Sequence, residues 1–92
     1  MFNYQVYYRI NTRFAPPEVV NLSDYKFIAE VEATDLEDLF EKMNNGHTRS
    51  EILAKLRVRS LSVGDVVINK GSDVAMICDY VGWKPVQIEA VQ

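Results

Sequence analysis

YKFIAEVEATDLEDLFEKMNN, residues 25–45, changes its hydrophobic period half-way along, and that change decides the fold class. From Tyr25 to Val31 apolar and polar side chains alternate: Tyr25, Phe27, Ala29 and Val31 on one side, Lys26, Glu30 and Glu32 on the other, with Ile28 out of step. A period of two is the pattern of a half-buried strand. From Thr34 the period lengthens. Leu36, Leu39, Phe40 and Met43 recur at helical intervals, and Thr34 with Glu37 has capping-box spacing. Asn44, Asn45 and Gly46 are suitable stops, so a helix is predicted over about 35–44.

Upstream, FNYQVYYRIN at 2–11 alternates as well, with Tyr4, Val6, Tyr8 and Ile10 predicted inward and Tyr7 outward. Residues 12–24, which include Pro16 and Pro17, read as a long connection, because proline cannot donate to a ladder. Downstream, TRSE at 48–51 is a second capping box before Ile52, Leu53 and Leu56, predicting a short helix over about 49–56. Three strand-like runs close the chain: DVVIN at 65–69, VAMICDY at 74–80 and PVQIEAV at 85–91. Lys70-Gly71 marks a hairpin between the first two, and Pro85 belongs at the start of a strand or on an edge. The expectation is one domain over 1–92, of α+β class, with a small antiparallel sheet of about five strands, one main helix and one short helix.

The chain has 92 residues, 48% hydrophobic and 11% aromatic, with a net charge of −3. That supports a small core, and an oligomer that buries further surface is expected of so short a chain. The acidic balance disfavours direct DNA binding, although Arg49, Lys55, Arg57 and Arg59 fall close together. Cys78 is the sole cysteine, so no internal disulfide forms. With neither a signal-peptide layout nor an apolar run of spanning length, a cytoplasmic protein without membrane association is expected.

RSLSVGDVV, residues 59–67, is the stretch richest in reactive side chains. Ser60 or Ser62 with His47 and Asp65 or Asp79 supplies the inventory of a catalytic triad, but no strand-turn-helix elbow surrounds either serine. One glycine leading into a strand is also not a phosphate cradle. Ser62, Gly64 and Asp65 read instead as a strand-initiating turn. His47 and Cys78 lack metal-ligand spacing, so neither metal nor cofactor is expected, and no catalytic residue is assigned. For binding, Arg57 and Arg59 share a strand face and, with Tyr80 and Trp83, could form a cationic-aromatic pocket for a nucleotide. Tyr7 is the candidate anchor of a protein interface, where tyrosine and tryptophan dominate.

In order, YKFIAEVE, LEDLFEKMN, RSLSVGDVVI and VAMICDYVGWKPV resemble the YodL-like domain family over about residues 25–90. The family pattern favours Phe where this chain has Trp83, the stretch HTRSEILAKLRV is longer here, and residues 1–24 have no assigned counterpart. The resemblance makes Arg59, Ser60, Ser62, Gly64, Asp65, Asp79 and Gly82 the motif positions and carries over no catalytic residue. It implies an accessory protein of phages, plasmids or other mobile elements. The resulting expectation is a small non-enzymatic protein that counteracts a host defence by docking on a host protein. The alternative is a nucleotide-binding domain that sequesters or cleaves a signalling nucleotide. A third reading has the tyrosine-rich first strand pairing with its own copy.

Overall fold

The computed structural model describes residues 1–10, 19–44 and 61–89. The order is β1 (Phe2–Arg9), β2 (Val19–Asn21), a 3-10 turn (Leu22–Asp24), β3 (Tyr25–Ala33), α1 (Leu36–Asn44), β4 (Val66–Asn69), β5 (Val74–Cys78) and β6 (Trp83–Glu89). The short helix expected over 49–56 lies outside the described residues.

The strands form one sheet in the order β2-β6-β5-β4-β1-β3. All pairs are antiparallel except β2 with β6. Among the described residues the sheet thus has six strands rather than five. β2 escapes a sequence reading because its three residues, VVN, show no period, and its partner in β6 lies far along the chain. It also shortens the connection expected over 12–24.

β2 and β3 are the two outer strands, yet only the 3-10 turn separates them. Laid flat, six strands at roughly 4.8 Å spacing would hold those edges about 24 Å apart. The four Cα steps from Asn21 to Tyr25 reach at most about 14 Å. The sheet must therefore curl into a half-barrel until its edges approach each other. Every strand contributes to the inner face: Val20, Val66, Ala75, Ile77 and Val86 are buried there, flanked by Tyr7, Leu22, Tyr25, Ile68 and Ile88. The outer face carries Tyr4, Val6, Tyr8, Val31, Ala33 and Val67, and α1 covers it with Leu39 and Met43. Burial on both faces explains why Val66 and Val67 are both fully buried, a consecutive apolar pair that simple alternation does not anticipate.

In β3 the out-of-step Ile28 is a β-bulge. Val6 pairs with Ala29 and Tyr7 with Phe27, so Ile28 is the extra residue. The bulge reverses the parity: Ala29, Val31 and Ala33 face α1, whereas Tyr25 lies on the inner face. Phe27, expected inside, is 50% exposed and packs edge-on against Tyr7 at 5.4 Å. The bulge, together with Lys42 Nζ donating to the Glu32 carbonyl at 3.0 Å, guards this outer edge. β1 is an interior strand, bonded to β3 and β4, so it cannot pair with its own copy. Ile10, also expected inside, is exposed, because β1 ends at Arg9 and the Ile10 amide turns to the Asp24 carbonyl.

α1 is capped one residue later than Thr34. The Asp35 carboxylate accepts from the Asp38 amide at 2.8 Å, and Asp38 accepts from the Thr34 amide at 2.9 Å. The three-residue spacing of the expected box survives, shifted by one, in the bond from Asp35 to the first-turn Asp38 amide, while Asp38 reaches back past the cap to the Thr34 amide. At the other end Asn44 clasps Leu61: its Nδ2 donates to the Leu61 carbonyl at 3.0 Å and its Oδ1 accepts the Leu61 amide at 2.7 Å.

Two measurements check these anchors. Asn44→Ala strands both polar groups of the Leu61 backbone, and urea unfolding should show a loss of about 2 kcal/mol. The Thr34 amide, then Lys42, hold the Asp38 carboxyl below its ordinary 3.8. Its folded value is depressed, so its contribution is present above the unfolded value and lost as pH falls through the folded one. Thermal midpoints of wild type and Asp38→Asn should differ at neutral pH and converge in acid below that folded value.

Candidate functional site

The turn that begins β4 is organised by Asp65, which is fully buried. Its Oδ2 accepts the Ser62 amide at 2.8 Å and its Oδ1 the Arg9 amide at 3.0 Å, tying the end of β1 to the turn. Its own amide donates to the Ser62 carbonyl, closing the turn, and its carbonyl accepts the Cys78 amide from the end of β5. Gly64 adds a bond from its amide to the Cys78 carbonyl at 2.8 Å and accepts the Tyr25 hydroxyl at 2.8 Å. Gly64 sits at φ +95°, and a Cβ there would lie 2.7 Å from the Arg9 guanidinium. The positive φ favours glycine, whereas the contact with the flexible end of Arg9 could be relieved by a shift of that side chain.

Both carboxylate oxygens of Asp65 thus accept backbone amides, one from the turn and one from the end of β1. Ser62 is exposed, with Oγ 3.5 Å from Asp65 Oδ2. Ser60, His47, Arg57 and Arg59 lie outside the described residues. Burial first, then the charges of Asp65 and Asp79, push the Cys78 thiol above its ordinary value, so it stays protonated and weakly nucleophilic at neutral pH. Among the described residues, no group of His, Cys, Asp and Glu could hold a metal ion.

Between this turn, α1 and the β5–β6 connection lies a cleft of about 390 Å³. That size suits a small ligand or a large side chain. Its walls include Phe40 of α1, Val63 of the turn, and Cys78, Asp79, Tyr80 and Trp83. Trp83 is half-buried and meets Phe40 edge-to-face at 6.4 Å and 87°. The β5–β6 turn is closed by the Asp79 amide on the Gly82 carbonyl at 2.9 Å, with Gly82 at φ +70°. Asp79 Oδ1 accepts the Tyr80 amide at 2.7 Å, and Oδ2 stands 4.0 Å from Lys84 Nζ. At the tip, Tyr80 is 69% and Val81 92% exposed.

Ser62, Asp79, Tyr80, Gly82 and Trp83, singled out separately in the sequence, therefore line one cleft, and Gly64 and Asp65 brace the turn beside it. Tyr7 does not join them. It faces the opposite side of the sheet, half-buried against the inner core. Phe40 and Val63 went unrecognised as wall residues. The helical period marks Phe40 as apolar, but not that it stands at the margin of the buried stripe.

The YodL-like domain family model matches residues 1–88. The chain belongs to the YodL-like domain family. The match includes the first 24 residues, for which the motifs alone gave no counterpart, consistent with β1 lying inside the sheet. No curated protein and no solved structure is detectably similar to the chain. Among the described residues of this YodL-like domain, no helix is long and apolar enough to cross a membrane.

Replacing Asp65 tests the turn. Asp65→Ala strands two amides around a buried site and should cost about 3 kcal/mol or more in urea unfolding, enough to threaten a domain of marginal stability. Asp65→Asn, which keeps an acceptor oxygen, should cost clearly less.

Proposed function

We propose that this YodL-like domain is a non-enzymatic binding module that docks on a partner protein through residues 79–83 and the adjoining cleft. The observation that carries this reading is the exposed Tyr80-Val81 tip beside a cleft walled by Phe40 and Trp83. An apolar projection next to an aromatic recess is the shape of a docking surface, since aromatic anchors seated in pockets supply most interface energy. The anchor therefore moves from Tyr7, which packs against Phe27 and the inner core, to the β5–β6 turn. The net charge of −3 favours a basic partner surface. In the mobile-element setting that the family resemblance implies, that partner is a component of a host defence.

The alternative is a nucleotide stacked on Trp83 and Tyr80, supported by the cleft's size and aromatic walls. Asp79 argues against it, because its carboxylate would face the ligand's phosphates. A thermal-shift panel of mononucleotides and cyclic nucleotides separates the two. Saturating ligand, at a hundred times its dissociation constant, adds about 2.7 kcal/mol, and the docking reading expects a flat panel.

The direct test expresses the chain in bacteria carrying defence systems and scores plaque formation by a defence-sensitive phage. Wild type should restore plaques, and Val81→Asp should abolish the effect with an unchanged thermal midpoint. Restoration indifferent to both Val81→Asp and Tyr80→Ala would remove this surface from the function.

A further inference from the structure

The cleft is apolar over most of its wall but not over all of it. Asp79 is the one acidic or basic side chain among the described residues that line it. Its carboxylate is held in place from one side by the Tyr80 amide on Oδ1. Among the described residues, the remaining oxygen has Lys84 near it, at 4.0 Å, and the Lys84 side chain is 40% exposed. A contact of that length and exposure is weak and screened. Asp79 is therefore a fixed anion, 26% exposed, at the margin of an aromatic recess, with lone pairs left to offer.

Different occupants meet this arrangement differently. A purely apolar side chain would fill the space against Phe40 and Trp83 but would desolvate Asp79 without compensation. A phosphate would be repelled by it. A lysine would satisfy the charge, yet its strongly hydrated point charge gains little from perpendicular aromatic walls. A guanidinium answers both demands, since its planar face lies on an aromatic ring while its fork of N–H donors meets a carboxylate. The two rings stand at 87°, so the recess has walls in two planes, and its volume of about 390 Å³ accommodates a long side chain.

Building on the docking reading, we propose that the cleft receives an arginine side chain of the partner protein, its guanidinium paired with Asp79 and packed against Trp83. The chain's net charge of −3 favours the approach of a basic segment to the protein. The exposed Val81 tip then contacts the residues flanking the arginine.

Trp83 is the single tryptophan, so its fluorescence reports on the cleft directly. The probes are a terminally blocked Leu-Arg-Leu peptide and its counterpart with citrulline, which keeps the shape and loses the charge. The arginine peptide should give a saturable change in Trp83 emission that weakens with added salt. Affinity should fall about tenfold or more with citrulline, and likewise in Asp79→Asn, the size of a lost charge-assisted pair. Lys84→Ala, which removes the competing cation without touching Asp79, should strengthen binding and keeps the test decisive if Asp79→Asn disturbs the turn. Equal binding of the citrulline peptide, or no saturable change up to about 10 mM, a range that covers weak sites, would overturn the assignment. Those results leave the docking reading standing if plaque restoration still depends on Val81. Restoration indifferent to Val81 and Tyr80 would instead remove the docking surface itself.

Discussion

A carboxylate sealed from water has to be given partners, and in this chain the partners of Asp65 are the places where the sheet is joined. Its oxygens bind the amides of Arg9 and Ser62, and its backbone binds Ser62 and Cys78. The end of β1, the start of β4 and the end of β5 are thereby drawn to one point. Three ladders depend on that point: β1 with β4, β4 with β5 and, through Cys78 opposite Trp83, β5 with β6. Gly64 makes the arrangement possible, since its positive φ turns the chain and its missing side chain leaves room for the Arg9 guanidinium.

The curl of the sheet follows from a second constraint, the short turn between its two outer strands. Curling separates an inner core from an outer one, and the bulge at Ile28 lets β3 serve both. The outer core is completed by α1, whose C-terminus Asn44 fastens to Leu61 next to the Asp65 turn. Helix, turn and β5–β6 connection meet there, and the cleft is the space left where they do not interdigitate. Its walls are thus continuous with the fold's most constrained region, while its rim, Tyr80 and Val81, projects into solvent.

Several features were legible in the residues because they depend on near neighbours. The alternation in β1, the change to a helical period after Thr34, the hairpin at Lys70-Gly71 and the turn character of Ser62-Gly64-Asp65 all arise from local sterics and local hydrogen bonds. Of the described motif residues, Ser62, Asp79 and Gly82 line one cleft, with Gly64 and Asp65 in the turn beside it. The misreadings are equally specific. Alternation places Tyr7 opposite Tyr4, Val6 and Tyr8 but is blind to a second core on that side, against which Tyr7 is half-buried. The three residues of β2 carry no period, and the out-of-step Ile28 marks an irregularity without showing that it is a bulge that turns Phe27 outward.

The sequence by itself therefore determined the α+β class, the family, the main helix and the strands long enough to show a period, since each rests on interactions within a few residues. Only the tertiary structure decided that the sheet curls, that both its faces are buried, and that Asp65 ties the end of β1 to the turn before β4. It alone also joined Phe40 to Trp83 and Asp79. These outcomes turn on pairings between distant segments, such as Val19–Asn21 on β6 and Arg9 on Asp65, and no local pattern of side chains encodes which distant partner a strand or a carboxylate will meet.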